Sequence, residues 1–178
     1  MHARTPRDAE APISPRREAR SMPSNWNESG KTLLAAPRVR VAALAERDGR
    51  VLLAHHRKDR REYFLLPGGG VESGEFSHAA LARELREEAG VACRIGDVRY
   101  VIEVKAPNES RHLIQFVFDA EIVGDVGASA DPRVVECAWH PVDDLRRLRI
   151  HPAVGGTLAD DLERRNRAPR YLVARWRP

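Results

Sequence analysis

The stretch Pro67–Val91, PGGGVESGEFSHAALARELREEAGV, decides how the chain is organised. Glycines at 68, 69 and 70 stop any regular element, and Ser77 to Ala89 then reads as a helix. Leu81, Leu85 and Ala89 recur every four residues and define its apolar face. Gly90 stands where a left-handed capping residue belongs. The same helix places Glu84, Glu87 and Glu88 together near its C-terminal end. Like charges at this spacing repel by about 0.2–0.5 kcal/mol. Anions in a last turn also oppose the helix dipole, at roughly 0.3–1 kcal/mol each. A solvated face with Arg83 pairing to Glu87 is one reading. A divalent cation held by the carboxylates is the other, because hard ions such as Mg2+ or Mn2+ take oxygen ligands and share them with phosphates.

Outward from this stretch, strands and helices mix without a regular βαβ alternation, which predicts an α+β fold. VRVAALAE (39–46) and VLLAHH (51–56) read as strands joined by an Asp48-Gly49 turn, and Tyr63–Leu66 as a short strand entering the glycines. Further strands are expected at Ile95–Lys105, His112–Ile122 and Val134–Trp139, with a loop over Gly124–Pro132 between the last two. A short helix is expected from Pro141, a last helix over Pro152–Arg165 and a final strand at Tyr171–Trp176.

The 178 residues carry a formal charge of +4, too mild to argue nucleic-acid binding. Residues 1–37, rich in Pro, Arg and Ser, are expected to be a disordered tail, with Met22 an alternative start; residues 38–178 form the one expected domain. Cys93 and Cys137 fit no zinc or CxxC spacing and read as reduced thiols. The N-terminal stretch lacks a signal peptide's apolar segment, and Arg16-Arg17 has none behind it. No apolar run approaches the roughly 18–20 residues of a membrane span. A cytoplasmic protein without a membrane partner is expected.

From Gly69 the chain runs five residues to Glu75, seven more to Arg83, and on through Glu84-Leu85-Arg86-Glu87-Glu88-Ala89-Gly90-Val91. This frame resembles the Nudix box at every defining position. Milder likeness extends over Val39–Leu148, including Trp139-His-Pro-Val-Asp-Asp-Leu. The resemblance implies an α/β/α sandwich around a mixed β-sheet, and hydrolysis of a nucleoside diphosphate linked to another moiety. It also implies that Glu84, Glu87 and Glu88, with the Gly68 carbonyl, hold Mg2+ or Mn2+. Glu75 then positions Arg83, and Arg83 orients a glutamate. The general base falls to Glu84 or Glu87, or to a later carboxylate, for which Glu136 and Glu103 are the candidates.

Substrate recognition is open to His55, His56 and Arg57 at the end of a strand, to Arg40, and to Arg111-His112, each set against an ordinary surface role. Tyr63 or Phe64 suits stacking on a base, or the core. Pro107, 16 residues past Val91, resembles a marker of ADP-ribose-cleaving members. ADP-ribose-like compounds, nucleotide sugars and nucleoside triphosphates all remain candidates. A nucleotide-binding regulatory module and an RNA 5′-pyrophosphohydrolase are the rival readings, and a homodimer is left open.

Overall fold

The Asp48-Gly49 hairpin forms, but its first strand is shorter than the apolar run suggests. In the computed structural model, which describes residues 36–107 and 111–175, VRVAALAE is divided between two sheets. Its first part is β1 (Arg38–Leu44), pairing in parallel with β6 (His112–Val123). The chain then passes Ala45 into β2 (Glu46–Arg47), the arm that pairs antiparallel with β3 (Arg50–Lys58). Asp48 and Gly49 both take left-handed backbone, φ 51° and 69°, as the tight turn requires. Val41, Ala42, Ala43 and Leu44 are all buried, so this half of β1 has no solvent face. A continuous apolar run fits that position.

The first sheet has the order β1–β6–β5–β8, with β5 (Ala92–Lys105) antiparallel to β6, and β8 (Arg170–Arg175) parallel to β5. This is the mixed sheet. The second sheet is antiparallel: β3 pairs with β4 (Arg61–Leu65) and with β7 (Val134–Pro141). Helix α1 covers Ser77–Ala89 as read, and its Gly90 cap, φ 64°, donates to Leu85 and Arg86 carbonyls. The short helix after Pro141 is a 3-10 turn, Val142–Arg146. Helix α2, Gly155–Glu163, is shorter than expected, and left-handed Arg165 (φ 53°) prevents its continuation. The predicted tail and Met22 lie outside the described residues, except for residues 36 and 37.

Two apolar clusters hold these elements. One joins Leu53, Tyr100, Ile102 and Val117 of the sheets to Leu145 and to Leu158 of α2. The other packs Leu81, Leu85 and Ala89 of α1 on Val41, Leu52 and Phe118. All three helix residues are fully buried, so the four-residue repeat does mark the inner face. Both cysteines are free: Cys137 is buried, and Cys93 partly so.

Candidate active site

Residues Pro67–Val71 lie along the free edge of β1 without forming a strand. Val41 N–H donates to the Gly69 carbonyl (2.9 Å), Ala43 N–H to Pro67 (2.8 Å) and Val71 N–H to Val39 (3.2 Å). Gly68 has φ 142°, and a Cβ there would lie 2.2 Å from the Val41 carbonyl oxygen. Only glycine fits. A Cβ on Gly69 would lie 2.0 Å from Glu84 Oε1, so the carboxylate rests directly on that glycine.

Arg83 ties loop and helix together. Its Nε and Nη2 donate to the two oxygens of Glu75, each at 3.1 Å, and Nη2 also to the Gly70 carbonyl at 3.1 Å. Its Nη1 reaches Glu84 at 2.9 Å and Glu87 at 3.4 Å. Arg83 thus pairs with Glu87 at i,i+4, is held by Glu75 and itself holds Glu84. Glu75, besides Arg83, accepts from the Glu72 N–H at 3.2 Å.

The three glutamates are held by two different partners. Glu84 and Glu87 turn to Arg83, whereas Glu88 turns inward and is only 3% exposed. Among the described residues, no three Asp, Glu, His or Cys side chains stand grouped as a metal site in this arrangement. Here the Arg83 guanidinium engages two of the carboxylates. Gly68 contributes its N–H, donated to Glu88 Oε2 at 2.8 Å. Burial pushes the Glu88 carboxyl up to about 7, against the pull of Arg40 and the Gly68 N–H.

Two sequence candidates stand beside Glu88. His56 is 6% exposed, with Nε2 unpartnered and 3.8 Å from Glu88 Oε1; burial first, then Arg40, pushes it down to about 4. Its ring stacks on Tyr63, 5.4 Å between centroids. Arg40 donates to the Leu66 carbonyl at 3.2 Å, and its Nε is buried without a partner. Burial lowers its pKa, while Glu88 and Glu84 pull the other way. The donors suit a divalent cation: they are hard oxygens, one is a buried carboxyl that a cation would return to its charged form, and an unpartnered imidazole adjoins it.

Other candidates lie elsewhere. Arg57 is exposed and forks onto Glu62 at 3.0 and 2.8 Å. His55 stacks on Phe64 and lies 3.5 Å from Glu62. Glu136 is exposed on β7 opposite His55, not His56. Glu103 forms a separate cluster with His112 (2.7 Å), the Tyr171 hydroxyl and Lys105 (3.7 Å). Arg111 accepts, through its carbonyl, the Ala106 N–H at 2.8 Å. Residues 108–110 of the loop after Pro107 lie outside the described residues.

Sequence reasoning missed the loop before β7. Gly127 N–H donates to the Ala89 carbonyl (2.8 Å) and Ala130 N–H to Glu87 (2.7 Å), so this loop satisfies the end of α1. Its Asp131, paired with Arg133, is close enough to influence His56 and Glu88. Gln115 and His151 were missed too. Each is one polar residue in an apolar or proline-containing stretch, and only tertiary placement marks it.

A glycine-rich edge, a carboxylate-ended helix and an arginine binding them, carried on a mixed-sheet sandwich, define the Nudix class of proteins. The chain belongs to this family: the NUDIX domain model matches residues 35–160. It is 32% identical over 127 residues to "NAD-capped RNA hydrolase NudC" of Shigella dysenteriae serotype 1, covering 71% of this chain and 47% of that protein. It is 30% identical over 114 residues to "ADP-ribose pyrophosphatase" of Methanocaldococcus jannaschii, covering 63% and 66%. The chain thus spans about half of the first relative's length and just under two thirds of the second's. In structure it resembles a MutT NUDIX hydrolase from Burkholderia pseudomallei, with a TM-score of 0.60, 29% identity and coverage of 70% and 97%.

Proposed function

We propose that this chain hydrolyses the pyrophosphate linkage of a nucleoside diphosphate joined to another moiety, with Mg2+ or Mn2+ held by Glu84, Glu87 and Glu88. ADP-ribose-like compounds and nucleotide sugars are the first substrates to test. The observation that carries this reading is the Arg83 fork, which fixes Glu75, Glu84 and the Gly70 carbonyl relative to one another. When bound, the cation neutralises phosphate oxygens and supplies an ionised water near neutral pH. The chain's own contribution is placement. Glu75 holds the guanidinium, the guanidinium holds Glu84 over Gly69, and the Gly68 N–H holds Glu88. Arg40 and His56 supply polar groups beside the carboxylates for a phosphate oxygen. Residues 38–178 act as one unit, in the cytoplasm; no helix among the described residues is long and apolar enough to cross a membrane.

The test is a substrate panel assayed with Mg2+, with Mn2+ and with chelator: ADP-ribose, nucleotide sugars, nucleoside triphosphates, NAD and 5′-capped RNA. Glu87→Gln/Glu88→Gln is expected to abolish metal-dependent turnover while leaving the chain folded. Turnover that survives chelation, or that double variant, would sink the reading.

A further inference from the structure

A cleft of about 160 Å³ is walled by Leu65, Val104 and Leu113 and bordered by Arg40, His151 and Arg175. One uncharged amide, Gln115, lines it. Gln115 is 2% exposed overall. A buried amide calls for a polar partner. Its neighbour in the parallel ladder is Arg40, whose Nε is buried without a partner. Arg40 in turn feels Glu88 and Glu84. The order across this wall is therefore carboxylates, guanidinium, amide.

Phosphate groups suit the guanidinium and, through a cation, the carboxylates; the apolar walls and the one uncharged amide suit a planar heteroaromatic ring with polar edges. An aromatic ring adjoins the cleft's border: Tyr63 meets the lining His151 edge-on, with centroids 5.3 Å apart. An amide offers one donor beside one acceptor. That pattern matches adenine, whose 6-amino group lies next to a ring nitrogen.

Resting on the reading of this site as a nucleotide hydrolase, we infer that Gln115 is a specificity-determining residue that reads the amino edge of an adenine seated in this cleft. The substrate class is then adenosine diphosphate derivatives. Arg40 stands between the base and the carboxylates, so the diphosphate lies on its far side from Gln115.

The experiment is titration calorimetry on the full chain in Mg2+, with ADP, purine riboside 5′-diphosphate (which lacks the 6-amino group), GDP and inorganic pyrophosphate. Gln115→Leu is compared with wild type, and Gln115→Met serves as a second variant, each checked for fold by circular dichroism. Wild type is expected to prefer ADP over the purine riboside analogue by about tenfold or more, as a lost bidentate base contact implies. Both variants should erase that preference and leave pyrophosphate binding unchanged. An unchanged ADP preference in either folded variant, or tighter wild-type binding of GDP than ADP, overturns the Gln115 assignment alone. Wild type that binds pyrophosphate but no nucleotide overturns the nucleotide reading with it.

Discussion

Alanine placed in turn at Gly68, Gly69 and Gly70 should yield three different outcomes. At Gly68 the new methyl lies 2.2 Å from the Val41 oxygen and 2.8 Å from the Ala42 Cα, both backbone atoms of β1 that cannot swing aside. The backbone there, at φ 142°, is itself restricted to glycine. Conformational strain costs on the order of 1–3 kcal/mol, and forcing the loop off β1 costs about 1–3 kcal/mol more by analogy with overpacked cores. Together these correspond to a melting temperature lower by roughly 5–20 °C for a chain of this size. At Gly69 the methyl meets only the Glu84 carboxylate, 2.0 Å away at the end of a flexible side chain. The fold should survive with a shift of a few °C at most, roughly the worth of one exposed ion pair. Turnover should fall sharply, because Glu84 is displaced from Arg83. At Gly70 nothing lies within 4 Å, and both properties should stay near wild type. Thermal melts followed by circular dichroism, paired with metal-dependent turnover, separate the three. A Gly68→Ala protein melting within a degree or two of wild type would refute the steric argument. A fully active Gly69→Ala protein would refute the place given to Glu84.

Two further outcomes are expected. Asp161 of α2 accepts from Tyr100 (3.0 Å), Asn166 (3.0 Å) and Arg170 (2.6 Å). Burial raises its pKa, but these hydrogen bonds outweigh burial and hold it below the ordinary range. A depressed folded pKa stabilises above the unfolded value of about 3.9 and is lost as pH falls through the folded one. Urea melts should therefore weaken below about pH 4, and Asp161→Asn should cost about 1–3 kcal/mol at neutral pH while flattening that acid limb. Cys137 donates to the Glu88 carbonyl at 3.3 Å, and burial, then Glu88 and Glu136, pushes its thiol up to about 12. An aromatic disulfide reagent should leave it unmodified in the native chain and label it on unfolding; prompt native labelling of Cys137 would show the site to be more open than described.

The helix and its cap were readable because their signals are local. Leu81, Leu85 and Ala89 repeat at the helical period, and Gly90 is a short-range cap signal. The Glu75–Arg83 ion pair joins two positions of a motif whose spacing spans one loop and two helical turns. The division of VRVAALAE at Ala45 was not readable, because an unbroken apolar run does not say which sheet each half joins. Nor did helical spacing predict that Glu88 takes a different partner from Glu84 and Glu87. That choice depends on the Gly68 N–H, 20 residues back in the chain, and on the position of Arg83. Arg57 and His56 are neighbours in sequence, yet one is exposed on a hairpin and the other buried beside Glu88; strand alternation separates them, but which face is inward is settled by β7.

The stitching of Pro67–Val71 to β1 has a mechanical meaning. Arg40 and Gln115 belong to the first sheet, and His56 and Tyr63 to the second. The chain crosses between the sheets at Ala45, and again where β4 runs into the glycines bonded to Val41 and Ala43. These crossings act as two fixed spacers on one gauge. The relative placement of the two sheets here is then set by backbone hydrogen bonds, and the proposed base cleft would inherit that fixed spacing, with its lining side chains adjusting only within it.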